Sequence, residues 1–181
     1  MRAGFGILLL VAALACPLGL RATTLPDACG DDKVRFDVKT QKNQPAPAAP
    51  DRASAQIVFI ENFEYVGGFC VDCKVTTRVG VDGAWAGANY GNSYFVYTVP
   101  AGEHHLCVDW QSSLGALKKK VGLASLNAEA GKVYYYQTRV RIEYYESDKR
   151  TENHLDLALL DPDEGGYLVK IDPLAAATPK K

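Results

Sequence analysis

The chain is short of most things that advertise chemistry. No phosphate-cradling P-loop and no dinucleotide-binding glycine pattern follows a strand, and no Ser/His/Asp set has a spacing that allows hydrogen bonding. No apolar run approaches the 20 or so residues needed to cross a bilayer; the longest, Phe5 to Ala15, has 11. Basic charge is scarce too. Removal of residues 1–22 would take Arg2 and Arg21 and leave 18 Lys and Arg against 21 Asp and Glu, a net charge of about −3. That balance argues against a nucleic-acid partner, which needs a dense basic surface. The one basic run, "LKKKV" at 117–121, reads as a solvated hairpin loop.

What is present is a globular composition, 48% hydrophobic and 23% charged over 181 residues, enough for one domain with flanks. The N-terminal "MRAGFGILLLVAALACPLGLRATT" has a minimal basic start and a short apolar core, which suits a secretory signal peptide. Two processing routes are open: cleavage after Ala22, or lipidation of Cys16 in "ALAC", which resembles the bacterial lipobox with Ala13 where Leu is usual. Either route implies an exported protein, periplasmic or associated with the outer membrane, alternatively secreted. The membrane would be reached only through that lipid anchor. Cys29, Cys70, Cys73 and Cys107 remain, and an even number in an exported chain reads as two disulfides with three possible connectivities.

Periodicity supplies the fold. "KVRFDVKT" (33–40) alternates apolar and polar residues; "QKNQPAPAAPDRASA" (41–55) is a Pro/Ala linker; strand patterns then follow at 56–61, 75–83, 93–99, 104–110, 121–128, 132–145 and 154–160. Seven strands after the linker, eight with the first, predict an all-β antiparallel sandwich of immunoglobulin or transthyretin type, with no helical crossover between strands. "DPDE" at 161–164 sets an Asp cap before Pro and favours one short helix over a last strand in "YLVKI". The expected organisation is a signal at 1–22, an N-terminal strand segment at 23–40, the linker at 41–55, the sandwich at 56–172 and a flexible tail at 173–181.

"HHLCVDW", 104–110, is the densest chemical stretch. On a strand, His104, Leu106, Val108 and Trp110 face the core, with the His104 ring wet at its edge, while His105, Cys107 and Asp109 form a polar outer face. Adjacent histidines diverge, and His105 and Asp109 lie roughly 13 Å apart along a strand, so ordinary strand residues are favoured over a metal or catalytic site. Cys107 needs a partner across the outside of its sheet, either Cys29 or the Cys70–Cys73 loop. Cys70-Val71-Asp72-Cys73 lacks the helix that activates a redox CxxC, so a structural bridge is favoured. "VDGAWAGANYGNSYF", 81–95, offers Trp85, Asn89, Tyr90 and Asn92 as a surface suited to stack on a sugar or peptide, although a plain wide hairpin connection is the favoured reading.

The segment 76–113 resembles PEGA-type modules and a bacterial family of exported proteins known only as a domain of unknown function. The likeness rests on Val79-Gly80-Val81-Asp82-Gly83 and Pro100-Ala101-Gly102-Glu103-His104. It implies a small envelope β-sandwich and carries over no catalytic residue. The expectation is a non-enzymatic binding or structural module with no cofactor and no metal, its partner an envelope protein, peptide or glycan. The alternative is an envelope enzyme, a hydrolase using His105 and Asp109 or a thiol oxidoreductase using Cys70 and Cys73.

Overall fold

The computed structural model describes residues 25–45, 47–66, 74–111 and 120–180. The signal segment with Cys16, and also Cys70, Cys73, Ser112 and Ser113, lie outside the described residues. Among the described residues ten strands and one helix follow in order: β1 (Phe36–Gln41), β2 (Ser54–Val66), β3 (Thr76–Val81), β4 (Ala84–Tyr90), β5 (Tyr94–Pro100), β6 (Gly102–Trp110), β7 (Val121–Ala128), β8 (Val133–Tyr145), β9 (Arg150–Leu159), α1 (Pro162–Ile171) and β10 (Leu174–Pro179). They form an all-β sandwich of a six-stranded sheet, β1-β10-β5-β2-β8-β9, and a four-stranded sheet, β4-β3-β6-β7. Among the described residues no helix is long and apolar enough to cross a membrane.

The apolar faces of the two sheets meet in one core. Ile57 and Phe59 of β2 and Val140 and Ile142 of β8 pack against Val79 of β3 and Leu106, Val108 and Trp110 of β6. Phe59 and Phe95 stack with centroids 5.2 Å apart, and Gly87 is glycine because a Cβ there would come within 2.8 Å of the Phe95 ring. The unbroken apolar run of β2 also has its cause. Its other face, Val58 and Ile60, is covered by Leu168 and Val169 of α1, so both faces are dry and alternation disappears. The helix begins as its sequence dictates, with the Asp161 side chain accepting from the Asp163 amide and Pro162 in the first turn. Gly165 lets it sit on the Tyr135 ring, which a side chain at 165 would strike.

Three expectations need correction. The sheet is mixed, because β2 and β8 run parallel from Gln56↔Val133 to Val66↔Glu143. A parallel pair needs a long crossover, and here the whole four-stranded sheet, rather than a helix, provides it. Within the stretch expected as a flexible tail, Leu174–Pro179 form β10, which pairs along its length with β1, Phe36↔Pro179 to Gln41↔Leu174. Its run of alanines carries no apolar alternation, yet small residues fit between two neighbours. β4 is likewise a strand inside the stretch read as a wide hairpin, disguised by a register shift opposite Val79/Gly80. β1 is fastened at its start by Gln111, whose side chain accepts from the Phe36 amide and donates to the Phe36 carbonyl, each at 2.7 Å.

Candidate functional site

In the histidine strand β6, His104 faces inward as its alternation requires, but its ring is buried rather than wet. Its Nδ1 lies 2.6 Å from Asp82 Oδ2 and its Nε2 3.0 Å from the Pro100 carbonyl. Burial pushes the ring pKa down, but the Asp82 carboxylate and the Pro100 carbonyl outweigh it, and the net shift is upward. With both nitrogens facing acceptors the doubly protonated ring is favoured, and both nitrogens are engaged within the fold rather than free for a metal or for general-base work. Asp82 sits at φ +51° before Gly83 at +84°, and its Oδ1 accepts from the His105 amide at 2.8 Å. Burial is again the largest single effect and opposes, but the His104 hydrogen bond, the His105 amide and the nearby imidazoles together outweigh it, so the carboxylate titrates below its ordinary range. The cluster is a clasp: the Asp-Gly turn after β3 is tied to the start of β6.

The clasp sets a pH signature. A raised histidine pKa contributes stability below about 6.5, lost as pH rises through the folded value; a lowered aspartate pKa contributes above about 3.8, lost on acidification. Asp82 is half exposed, so screening keeps the pair to about 1 kcal/mol or less. Thermal unfolding of wild type and His104→Asn should therefore differ most near pH 5–6 and converge toward pH 9. A difference that stays constant across that range would remove the clasp.

The outer face of the four-stranded sheet is not polar surface, because residues 25–35 lie across it. Cys29 is disulfide-bonded to Cys107, Cα atoms 5.2 Å apart. Asp109 Oδ2 accepts from Arg78 Nε at 2.9 Å and Nη2 at 2.6 Å, while Arg78 Nη1 donates to the carbonyls of Val34 and Asp32. The guanidinium lies 4.2 Å from the Trp85 ring centroid, and Trp85 Nε1 donates to the Asp31 carbonyl at 2.7 Å. Gly30 rests on that ring with no room for a side chain. Trp85 is therefore engaged by its own chain and is not a free stacking platform. Asp109 is committed to Arg78, whereas His105 is exposed with its Nε2 3.9 Å from Glu103.

The four residues named for ligand binding separate. The bulge turns Trp85 outward with Arg78, while Asn89 faces the core, fully buried, donating to the Phe59 carbonyl at 3.2 Å. Tyr90 and Asn92 stay together. Tyr90 is 40% exposed with Lys74 Nζ 5.9 Å from its ring centroid, and Asn92 Oδ1 accepts from the Phe63 amide at 3.0 Å. Both line an open cleft of about 530 Å³, with Phe63 and Ile171 as its apolar wall and Lys42 and Lys74 beside them. Burial pushes the carboxyl of Asp172, also in that wall, upward.

Sequence reasoning missed two further groups. On the outer face of the six-stranded sheet, beyond α1, neighbouring strands align Asn62, Arg139 and Asp156 in one row and Glu64, Arg141 and His154 in the next. These rows floor a polar groove of about 350 Å³. At its end, donor atoms of Glu143, Glu152 and His154 all lie within 4.8 Å of one another. The alternation of β8 marked Arg139, Arg141 and Glu143 as one face, but the parallel neighbour β2 left no local trace. The second group is Glu61, 1% exposed, whose Oε2 accepts from Thr77 Oγ1 at 2.5 Å. Desolvation raises its pKa to about 8, against the Thr77 hydrogen bonds. Its Oε1 and Thr138 Oγ1, opposite in the register, have no hydrogen-bond partner among the described residues.

Comparison of the chain with protein-family models, curated proteins and solved structures returned no match.

Proposed function

We propose that this chain is an exported envelope β-sandwich acting as a non-enzymatic binding module, with the Tyr90 cleft as its ligand face. The observation that carries the reading is the half-exposed Tyr90 ring and neighbouring Asn92 on the wall of an open cleft beside two lysines. An aromatic face next to amide and ammonium donors suits a sugar or peptide chain. Export is supported by the short apolar run at 5–15 and by the Cys29–Cys107 disulfide, which persists in oxidising compartments. Kinship with PEGA-type modules is supported by the meeting of the two motif halves, since Asp82 of the V-x-V-D-G turn holds His104 of the P-x-G-x-H strand. Against the hydrolase alternative stands the pairing of Asp109 with Arg78, which leaves His105 without its acid.

The reading is tested by retention on sonicated peptidoglycan. Tyr90→Ala should weaken retention about tenfold, the scale of one lost aromatic contact, with folding unchanged by circular dichroism. Equal retention of wild type and Tyr90→Ala, or no retention of either on peptidoglycan or on immobilised envelope protein extract, removes the cleft as the ligand face.

A further inference from the structure

We infer that Glu143, Glu152 and His154 form a site for a divalent transition-metal ion of the zinc type, at the open end of the polar groove on the six-stranded sheet. The inference is independent of the Tyr90 cleft. Register brings the donors together: Glu143 and Glu152 stand directly opposite on antiparallel β8 and β9, and His154, two residues further along β9, shares their face. Their ligand atoms fall within 4.8 Å of one another, a spread that one ion bound at about 2.0–2.2 Å can bridge with small side-chain adjustments.

The remaining contacts orient the carboxylates toward a common point. Arg141 Nε holds Glu143 Oε1 at 2.5 Å, and Arg150 Nη1 holds Glu152 Oε1. The Tyr145 hydroxyl donates to Glu143 Oε2 at 2.6 Å and reaches Glu152 Oε2 at 3.5 Å. Each guanidinium thus takes one oxygen, and an ion bound by the two Oε2 atoms would displace the Tyr145 hydroxyl that now lies between them. The two arginines offset the two carboxylate charges, which keeps the affinity moderate.

A second, independent feature is access. Glu143 and His154 line the groove of about 350 Å³, so an ion can enter from solvent and keep water in its remaining position. The imidazole selects among metals. Calcium and magnesium take oxygen ligands, whereas one nitrogen with two carboxylates suits zinc and its neighbours.

The test is calorimetric titration of the tag-free full chain with zinc chloride and, in parallel, calcium chloride. Zinc should bind at one His154-dependent site per chain and calcium far more weakly. His154→Ala, at an exposed position, should weaken zinc binding by at least about tenfold, and Glu152→Gln should do the same. His105→Ala, the control for the other exposed histidine, should leave binding unchanged. Zinc binding that survives His154→Ala, binding lost in His105→Ala instead, calcium binding equal to zinc, or no zinc binding each overturns the assignment.

Discussion

Asp109→Ala should destabilise the protein by about 3–5 kcal/mol, the cost of leaving a buried charge without its partner. Arg78 is 2% exposed and its guanidinium is pinned on all sides, by Asp109, by carbonyls of the covering segment and by the Trp85 ring. It cannot swing out to water when the carboxylate is removed. For a domain of this size the loss corresponds to roughly 10 °C in unfolding temperature. The paired replacement Arg78→Met with Asp109→Leu should recover much of it, because apolar residues of similar volume remove both desolvation costs together. The measurement is urea unfolding with the Cys29–Cys107 bond intact. A loss below about 1 kcal/mol in Asp109→Ala would show that Arg78 finds solvent, and the covering segment would then not be anchored through it.

Glu61→Gln should act in the opposite direction, and through pH. In the folded protein the carboxyl titrates near 8 because desolvation in the core disfavours its ionised form, whereas in the unfolded chain it titrates near 4.5. The folded state therefore holds the extra proton between those values, and stability falls as pH rises from about 4.5 to about 8. Glutamine keeps the shape and cannot ionise. The stability difference between Glu61→Gln and wild type should grow by about 3–5 kcal/mol in favour of the variant across that interval, then level off. Unfolding curves at pH 4.5, 6 and 8 read it directly. A difference independent of pH would mean that the buried carboxyl is charged throughout.

Such a group is a liability in a scaffold, and its position is informative. Glu61 sits midway along β2, between Phe59 of the core and the Phe63 wall of the cleft. Thr77, Asn89, Ser93 and Thr138 are buried around the same level of the sandwich. These buried polar groups interrupt the core rather than end it, since Val140 and Ile142 of β8 continue the apolar packing beyond them.

Much of the architecture was legible because burial leaves a local imprint. The alternation of β8 and β6 assigned their inward residues correctly, and the Asp-Pro start of α1 identified the helix. What escaped were features set by partners distant in the chain. β10 is a strand because β1 and β5 flank it, not because its alanines prefer one. The sequence favours a Trp85 packed over a sandwich end above a free stacking ring, but what it packs against, the covering segment brought over by Cys29, left no local signal. Asp109 looked like outer-face polarity, yet its meaning depends on Arg78 across the β3–β6 register. Of the four residues named for binding, Asn89 was lost to the core by parity alone, since a one-residue bulge inverts which faces point where. The metal-type cluster needed β9 to start at Arg150 rather than 154, which brings Glu152 into line.

The parallel pairing of β2 with β8 has a consequence for how the chain assembles. The central seam joins segments separated by every strand of the smaller sheet, so loop-closure entropy must be met before that seam rewards it. The β3–β4 and β6–β7 hairpins of the smaller sheet, the first turning at Asp82-Gly83, are the natural early units. β2 can pair with β5 on one edge, but its other edge stays open until β8 emerges. During that interval it is the segment most exposed to wrong pairing, and a chaperone or a crowded translocation exit would find it first.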